Sequence, residues 1–324
     1  MKDGMRYAIY AIRKCMRPVV LIMGAVLATS FAGASPASEL LQDLKASMTG
    51  GRFDFSWTHV WMTPWPVDGD ARFAENDAFF ENGVAAATCA APRFYYSDLA
   101  GIVGTWHSDD YYKTNRKSFA SVIKKAWKEY RGVCVFSWHM DHPCCTNRFP
   151  QCSYRYKCKE HRNVVKAILE DEKWPCGTGQ IKGMERNAGY DSPRAWFFRQ
   201  LKDAAAFFKT LVDEDGNRIP VIVRFPHEMD GNWFWWGRGW CSPSEFIALC
   251  RLEADTLREL CGTEQLLFAY DPDRFWKDLG APDDGGCNFL TWYPGDAYVD
   301  IVGCDDYSIG TGRSDKEARA IMVG

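Results

Sequence analysis

A histidine–glutamate pair among aromatic residues is the part of this sequence best suited to chemistry. Glu228 follows His227 inside the run RFPHEMDGNWFWW, residues 224–236. A carboxyl group beside aromatic side chains loses part of its hydration, which raises its pKa toward the range that a general acid needs near neutral pH. Flat aromatic faces also suit sugar rings. The run therefore favours acid–base chemistry at Glu228.

Other interpretations of this run are tested by its spacing. A metalloprotease motif needs a second histidine four positions after His227, where the chain has Gly231. Spacing alone leaves open a structural role, in which Glu228 is buried and paired with Arg224 beneath a Trp-rich surface. The motifs of serine hydrolases, P-loop proteins and dinucleotide-binding proteins do not occur in the sequence.

The run begins where a predicted strand ends, and α/β barrels place their active-site groups at such strand ends. Short apolar strands alternate with amphipathic helices, and strands that are apolar on both faces are typical of a parallel sheet covered by helices. Two helix starts are indicated by Ser192-Pro193 and by Ser242-Pro243-Ser244-Glu245, the second a capping box. Further helices are predicted at Asn115–Tyr130 and near His161–Glu172. The predicted strands are Phe53–Met62, Ala85–Ala90, Val133–Trp138, Val221–Phe225, Leu266–Tyr270 and Tyr298–Cys304, with Phe94-Tyr95-Tyr96 as an aromatic turn.

Three segments resemble glycoside hydrolase family 26, whose best-known members are endo-β-1,4-mannanases. Residues 224–236 are similar to the family's strand-four block, with its His-Glu pair and aromatic run. The segment VFSWHMD, residues 135–141, resembles the end of strand three. The segment WYPGDAYVDIVG, residues 292–303, resembles the approach to strand six and leads to Tyr307. Similarity of order and spacing runs from about residue 50 to the end of the chain.

The resemblance implies a role for five residues. Glu228 is expected to be the acid/base that protonates the departing glycosidic oxygen, and His227 to shape the surroundings of the nucleophile. Trp233 is expected to line the sugar site, His139 to hydrogen-bond the glycone, and Tyr307 to hold the nucleophile carboxylate. Simple packing remains the alternative for His139 and Tyr307.

The fold implied by the resemblance is α/β, a (β/α)8 TIM barrel. A retaining glycosidase needs two carboxylates about 5–5.5 Å apart, and the resemblance places the nucleophile Glu at the end of strand seven. The sequence reaches Gly324 after about the sixth predicted strand, and Glu317 lies in a predicted capping box. We therefore expect a truncated barrel without its nucleophile, inactive on mannan as it stands. If it proves active, Asp305 and Asp306 are the first candidates for the second carboxylate.

The first 34 residues read as a secretory signal peptide. Five basic residues precede an uncharged stretch from Pro18 to Ala32, and Ala32-Gly33-Ala34 forms a cleavage site. Residues 35–324 are then a secreted catalytic domain, extracellular or periplasmic. Twelve cysteines follow this segment, an even number that favours disulfides. The predicted disulfides centre on Cys144, Cys145, Cys152 and Cys158, and zinc is disfavoured because no C-x-x-C pair occurs.

The expected partner is a mannan-type polysaccharide, with no metal and no organic cofactor. Nucleic acid is disfavoured by a formal net charge of -3 and the absence of basic runs, and no membrane contact is expected after signal cleavage. The oligomeric state stays open. Two alternatives remain for function: a catalytically inactive carbohydrate-binding protein, and a hydrolase of another β-glycan, either β-glucan or β-1,3-xylan.

Overall fold

The computed structural model describes residues 19–22, 35–49, 56–57, 94–104, 109–143, 163–173, 192–273 and 289–305. The helices, strands and contacts given below belong to these ranges. Within them, no helix combines the length and the apolar character that a bilayer crossing needs.

One sheet contains all the strands of the described residues. They are β1 (Val19–Ile22), β2 (Ser56–Trp57), β3 (Phe94–Asp98), β4 (Val133–Ser137), β5 (Val221–Arg224), β6 (Leu266–Tyr270) and β7 (Ile301–Asp305). Their spatial order is β1-β7-β6-β5-β4-β3-β2. From β2 to β7 each strand pairs in parallel with the next along the chain, and β1 pairs antiparallel with β7. The α/β architecture with a parallel sheet is therefore confirmed.

Helices connect most of these parallel strands. The helices are α1 (Pro36–Thr49), which precedes β2, and α2 (Asp109–Tyr130), α3 (Val164–Glu170), α4 (Pro193–Phe208) and α5 (Pro243–Cys261), which lie between parallel strands. The start of α4 is confirmed, because the Ser192 hydroxyl accepts a hydrogen bond from the Ala195 amide. At α5 the full capping box is present between Ser242 and Glu245. Such caps satisfy amide groups that would otherwise lack an intrahelical partner.

Both faces of the sheet are buried. One face packs against α2–α5 in a cluster that includes Phe136, Val223 and Phe268. The opposite face presents Val135 and Ile222, and α1 covers it. Alternate residues of each strand thus enter different apolar clusters, because successive side chains of a strand point to opposite faces. The parallel strands end at the same edge, which is where the candidate site lies.

Several predicted elements differ from the structure or lie beyond its description, among them the helix predicted from Asn115, which begins at Asp109. The predicted aromatic turn at Phe94-Tyr95-Tyr96 is wrong: these residues begin β3 and are buried. Aromatic side chains fit a pleated, buried surface, and here burial decided their conformation. The last strand starts at Ile301 and not at Tyr298, because residues 296–298 form a turn after Gly295, whose φ is 104°. The predicted strand at Ala85–Ala90 lies outside the described residues.

Two further predictions bear on the covalent state of the chain. Strand β1 lies within the predicted signal peptide and pairs with β7. The signal peptide itself stays a prediction. Cys134, Cys241, Cys250 and Cys261 are free thiols in the structure. The four crowded cysteines of residues 144–158 lie outside the described residues, so the disulfides predicted there stay a prediction.

Candidate active site

Glu228 sits four residues beyond the end of β5, in a backbone conformation that is rare for its type. Its φ is 51°, in the left-handed region, which costs energy for a residue with a Cβ. The Glu228 amide donates a hydrogen bond of 2.9 Å to the carbonyl of Asp271, just after β6. Its own carbonyl accepts one of 3.0 Å from Gly231. These two hydrogen bonds, one to the residue after β6 and one within the following turn, hold the Glu228 backbone in this strained conformation.

Trp233 holds the Glu228 carboxylate. The indole Nε1–H donates a hydrogen bond of 2.7 Å to Oε2 of Glu228, and the Glu228 residue is only 6% exposed. The turn that joins them leaves no room beside Gly231, where a Cβ would lie 2.3 Å from the Trp233 ring. A carboxyl group held in one orientation can exchange a proton with a partner placed at its other oxygen.

His227 lies beneath this carboxylate in an aromatic enclosure. Its ring makes an edge contact with Phe234, at 5.1 Å between centroids, and a tilted contact with Trp236 at 6.2 Å. Burial, together with the nearby Arg224 and His139, lowers the pKa of His227 well below its ordinary value. The imidazole is therefore neutral at physiological pH. Its Nδ1 is buried without a hydrogen-bond partner in the structure.

His139 approaches the same point from the end of β4. Its ring lies edge-on to His227, with 4.7 Å between ring centroids, and edge-on to Phe234 at 5.6 Å. The Nδ1 of His139 pairs with the Asp98 carboxylate, and its backbone amide donates a hydrogen bond of 3.1 Å to Oδ1 of Asp98. Asp98 ends β3, so strand pairing brings these two side chains together.

A buried ionic cluster lies below the site. The NH2 group of Arg224 is 2.7 Å from a carboxylate oxygen of Asp271 and 2.7 Å from one of Asp305, and its NH1 group donates to Ser137. Burial by itself lowers the pKa of Arg224, but the two carboxylates raise it above its ordinary value. The pKa of Asp271 is raised well above its ordinary value by burial and by the negative charges of Asp305 and Glu228, against the opposing effect of Arg224. One guanidinium thus holds several strand ends together.

One group of side chains has the geometry of a possible cation site. Ligand atoms of His227, Glu228 and Asp305 lie within 4.8 Å of one another, and all three residues are buried. Arg224 already places a positive charge on Asp305 at 2.7 Å. The group therefore fits a charge-balanced cluster as well as it fits a metal site.

The sequence matches a family model over most of its length. The model of glycosyl hydrolase family 26 matches residues 76–318, which include every strand from β3 to β7. The chain belongs to glycosyl hydrolase family 26. The resemblance found from the three sequence segments is thereby confirmed.

Curated relatives of this family 26 chain are mannan endo-1,4-β-mannosidases. The Thermothelomyces thermophilus protein is 37% identical over 187 residues, which cover 57% of this chain and 31% of the relative. The Bifidobacterium adolescentis protein is 36% identical over 122 residues, which cover 38% of this chain and 12% of the relative. The matched part thus spans less than a third of the length of either relative.

Solved structures of endo-β-1,4-mannanases match most of this chain. The catalytic domain of the Bacillus sp. JAMB-750 endo-β-1,4-mannanase has a TM-score of 0.57 and 28% identity, over 86% of this chain and 64% of that one. The Cellulomonas fimi endo-β-1,4-mannanase double mutant has a TM-score of 0.58 over 87% of this chain and 54% of that one. At 24% identity the latter shows the fold alone. The α/β fold therefore matches TIM-barrel catalytic domains over most of the chain.

Four of the five predicted site residues of this family 26 chain lie together. Glu228, His227, Trp233 and His139 meet at the carboxyl ends of β4 and β5 through the contacts given above. Tyr307 lies outside the described residues, and its predicted role stays a prediction, as do the catalytic roles of the other four.

Sequence reasoning missed two acidic residues at this edge of the sheet and left a third as a reserve candidate. The sequence analysis does not single out Asp271, which directly follows a predicted strand, or Asp98, which ends β3. Asp305 is predicted only as a substitute nucleophile, and the structure pairs it with Arg224. A polar residue directly after a predicted apolar strand was the available signal for Asp271 and Asp305, whereas Asp98 follows residues predicted as a turn.

Proposed function

We propose that this protein is a glycoside hydrolase of the retaining endo-β-1,4-mannanase type, with Glu228 as its acid/base. The observation that carries the proposal is the buried Glu228 carboxylate, which Trp233 holds at 2.7 Å on the carboxyl edge of a parallel sheet. Family membership and the names of the matched relatives support a mannan-type polysaccharide as substrate. His139 and Trp233 are proposed to contact the sugar next to the bond that is cleaved, and His227 to shape the surroundings of the nucleophile.

A retaining mechanism needs a second carboxylate as its nucleophile. Among the described residues, Asp305 is grouped with Glu228 within 4.8 Å, but it is ion-paired with Arg224 at 2.7 Å. An ion pair stabilises the anion and makes it a poorer nucleophile. We infer that Asp305 balances the charge of Arg224. The described residues are then expected to bind manno-oligosaccharides without supplying a nucleophile of their own.

An external nucleophile tests this arrangement directly. The purified chain is incubated with 2,4-dinitrophenyl β-mannobioside at several azide concentrations. Azide attacks the anomeric carbon as the C–O bond to dinitrophenolate breaks, and inversion gives α-mannobiosyl azide. We expect dinitrophenolate release that increases with azide, saturates with substrate and yields the α-azide, identified by NMR. The same mixture without protein gives the background rate.

Three outcomes would contradict parts of the proposal. Binding of mannotetraose without azide-dependent cleavage would favour the inactive carbohydrate-binding protein. Faster reaction of the matching β-glucoside or β-1,3-xyloside would contradict the mannan assignment. Release of reducing ends from mannan without azide would contradict the role given to Asp305, and loss of that activity in Asp305→Asn would identify Asp305 as the nucleophile.

A further inference from the structure

The Asp98 carboxylate makes three contacts, and two of them are to one histidine. Its Oδ1 accepts hydrogen bonds from the amides of Ala100, at 2.9 Å, and His139, at 3.1 Å. Its Oδ2 pairs with Nδ1 of the His139 ring. Asp98 also caps the short 3-10 turn Leu99–Gly101. One carboxylate therefore fixes both the backbone and the ring of His139.

Asp98 is in the anionic form near neutral pH. Burial alone raises the pKa of Asp98, but the His139 ring and the hydrogen bonds from His139 and Ala100 together lower it below its ordinary value. An anionic carboxylate accepts hydrogen bonds and cannot donate one. The proton of a neutral imidazole must then lie on the nitrogen that faces the carboxylate, and the opposite nitrogen carries a lone pair.

Two aromatic rings also pack against the edge of His139. His227 meets the His139 ring through an edge contact at 4.7 Å between centroids, and Phe234 does so at 5.6 Å. Burial keeps His227 neutral, since it lowers the pKa of that ring well below its ordinary value. The side chains of His139 and Asp98 are each 31% exposed. The pair thus lies at the surface of the site, where a ligand hydroxyl can reach it.

We propose that Asp98 is a positioning residue that holds His139 in the Nδ1–H tautomer, so that Nε2 accepts a hydrogen bond from a sugar hydroxyl. The second half of this statement rests on the proposed function. The first half concerns the free protein alone. A carboxylate that orients a histidine in this way sets which ring nitrogen acts on the ligand.

The tautomer is measured directly by long-range 1H–15N correlation NMR on the whole chain labelled with 15N-histidine, at pH 8. The His139→Gln variant assigns the His139 signals. We expect a protonated Nδ1 and an unprotonated Nε2 in the wild type. In Asp98→Asn the amide oxygen still accepts from both backbone amides, but the amide NH2 faces Nδ1, so the proton is expected to move to Nε2.

Binding of mannotriose, measured by calorimetry, is the second readout. We expect affinity about tenfold lower for Asp98→Asn than for the wild type, as one hydrogen bond to a sugar hydroxyl is lost. If Asp98 only caps the 3-10 turn Leu99–Gly101, the tautomer of His139 stays unchanged in Asp98→Asn. That result, or a proton on Nε2 in the wild type, overturns the proposal, and the wild-type spectrum decides it even if Asp98→Asn does not fold. A tautomer switch in a protein that binds no manno-oligosaccharide would support the positioning role and contradict the proposed function.

Discussion

At the scale of residues, the acid/base assignment depends on how the leaving group departs. Dinitrophenolate leaves without protonation, whereas phenolate needs a proton from an acid. In the azide-assisted reaction, we expect Glu228→Ala to slow cleavage of phenyl β-mannobioside by about 10² to 10⁴, the usual contribution of a general acid. Cleavage of the dinitrophenyl substrate should change little.

A surface variant serves as the control for that experiment. Glu214 is 75% exposed and pairs with Lys128, so Glu214→Ala removes a carboxylate without touching the site. Its rates on both substrates should match those of the wild type. Equal losses on the two substrates in Glu228→Ala, or no loss on either, would count against the acid/base role.

A second titratable residue lies outside the site, in the core. Glu253 of α5 is 1% exposed, and neither of its carboxylate oxygens has a hydrogen-bond partner in the structure. Burial raises the pKa of Glu253 from 4.5 to about 8. Between these values the unfolded chain releases the proton while the folded chain keeps it. The folded state therefore binds more protons, and stability falls as pH rises through this window, by up to about 1.4 kcal/mol per pH unit.

Glu253→Gln separates this effect from every other titration. Glutamine has the same shape and no charge, so the free energy of unfolding of the variant protein should lack this pH-dependent contribution. Urea unfolding at pH 5, 6, 7 and 8 is expected to show the variant gaining on the wild type as pH rises. Parallel stability curves would show that Glu253 does not titrate in this range.

At the scale of elements, the capping box of α5 makes a local contribution that is measurable. The Ser242 hydroxyl accepts from the Glu245 amide at 3.3 Å, and the Glu245 carboxylate accepts from the Ser242 amide at 2.7 Å. Ser242→Ala removes the first bond and is expected to cost about 1 kcal/mol of stability in urea unfolding. Ser242→Asp keeps an acceptor at this position and should cost much less. Equal losses in both variants would mean that the cap does not contribute through this bond.

At the scale of the whole molecule, eight of the twelve cysteines that follow the predicted signal peptide fall into two predicted groups. Cys134, Cys250 and Cys261 are buried free thiols, and burial raises the pKa of each. After denaturation without reductant, alkylation and peptide mass analysis should label these three and Cys241. The cysteines of residues 144–158 should be labelled only after reduction, because we predict that they form disulfides. Their labelling before reduction would contradict the disulfides and reopen metal binding.

Export is the remaining prediction at this scale. Cleavage after Ala34 would leave Ser35 as the first residue, directly before α1, where its carbonyl accepts from the Glu39 amide at 2.9 Å. We expect protein secreted by a bacterial host to begin at Ser35 in terminal mass analysis. Ala34→Leu should block this processing, since the cleavage site needs a small residue there. A secreted protein that still begins at Met1 would contradict the signal peptide and retain β1 beside β7.

Features that depend on residues close together in the chain were determined by the sequence itself. The caps at Ser192 and Ser242 depend on residues three positions apart, and both were predicted correctly. Strand β6, Leu266–Tyr270, has its predicted bounds because a short apolar run closed by polar residues leaves little choice. The His227–Glu228 pair and the family were likewise found from local spacing.

Only the tertiary structure decided which distant side chains meet. Asp98 and His139 are 41 positions apart, and Arg224 and Asp305 are 81 apart. Their contacts follow from the register of β3 on β4 and from the order of β5, β6 and β7 in the sheet. The same cause turned Phe94-Tyr95-Tyr96 from a predicted turn into a strand, since burial in the sheet outweighs local preference. Strand pairing is a long-range property, because its energy comes from neighbours that no short stretch of sequence specifies.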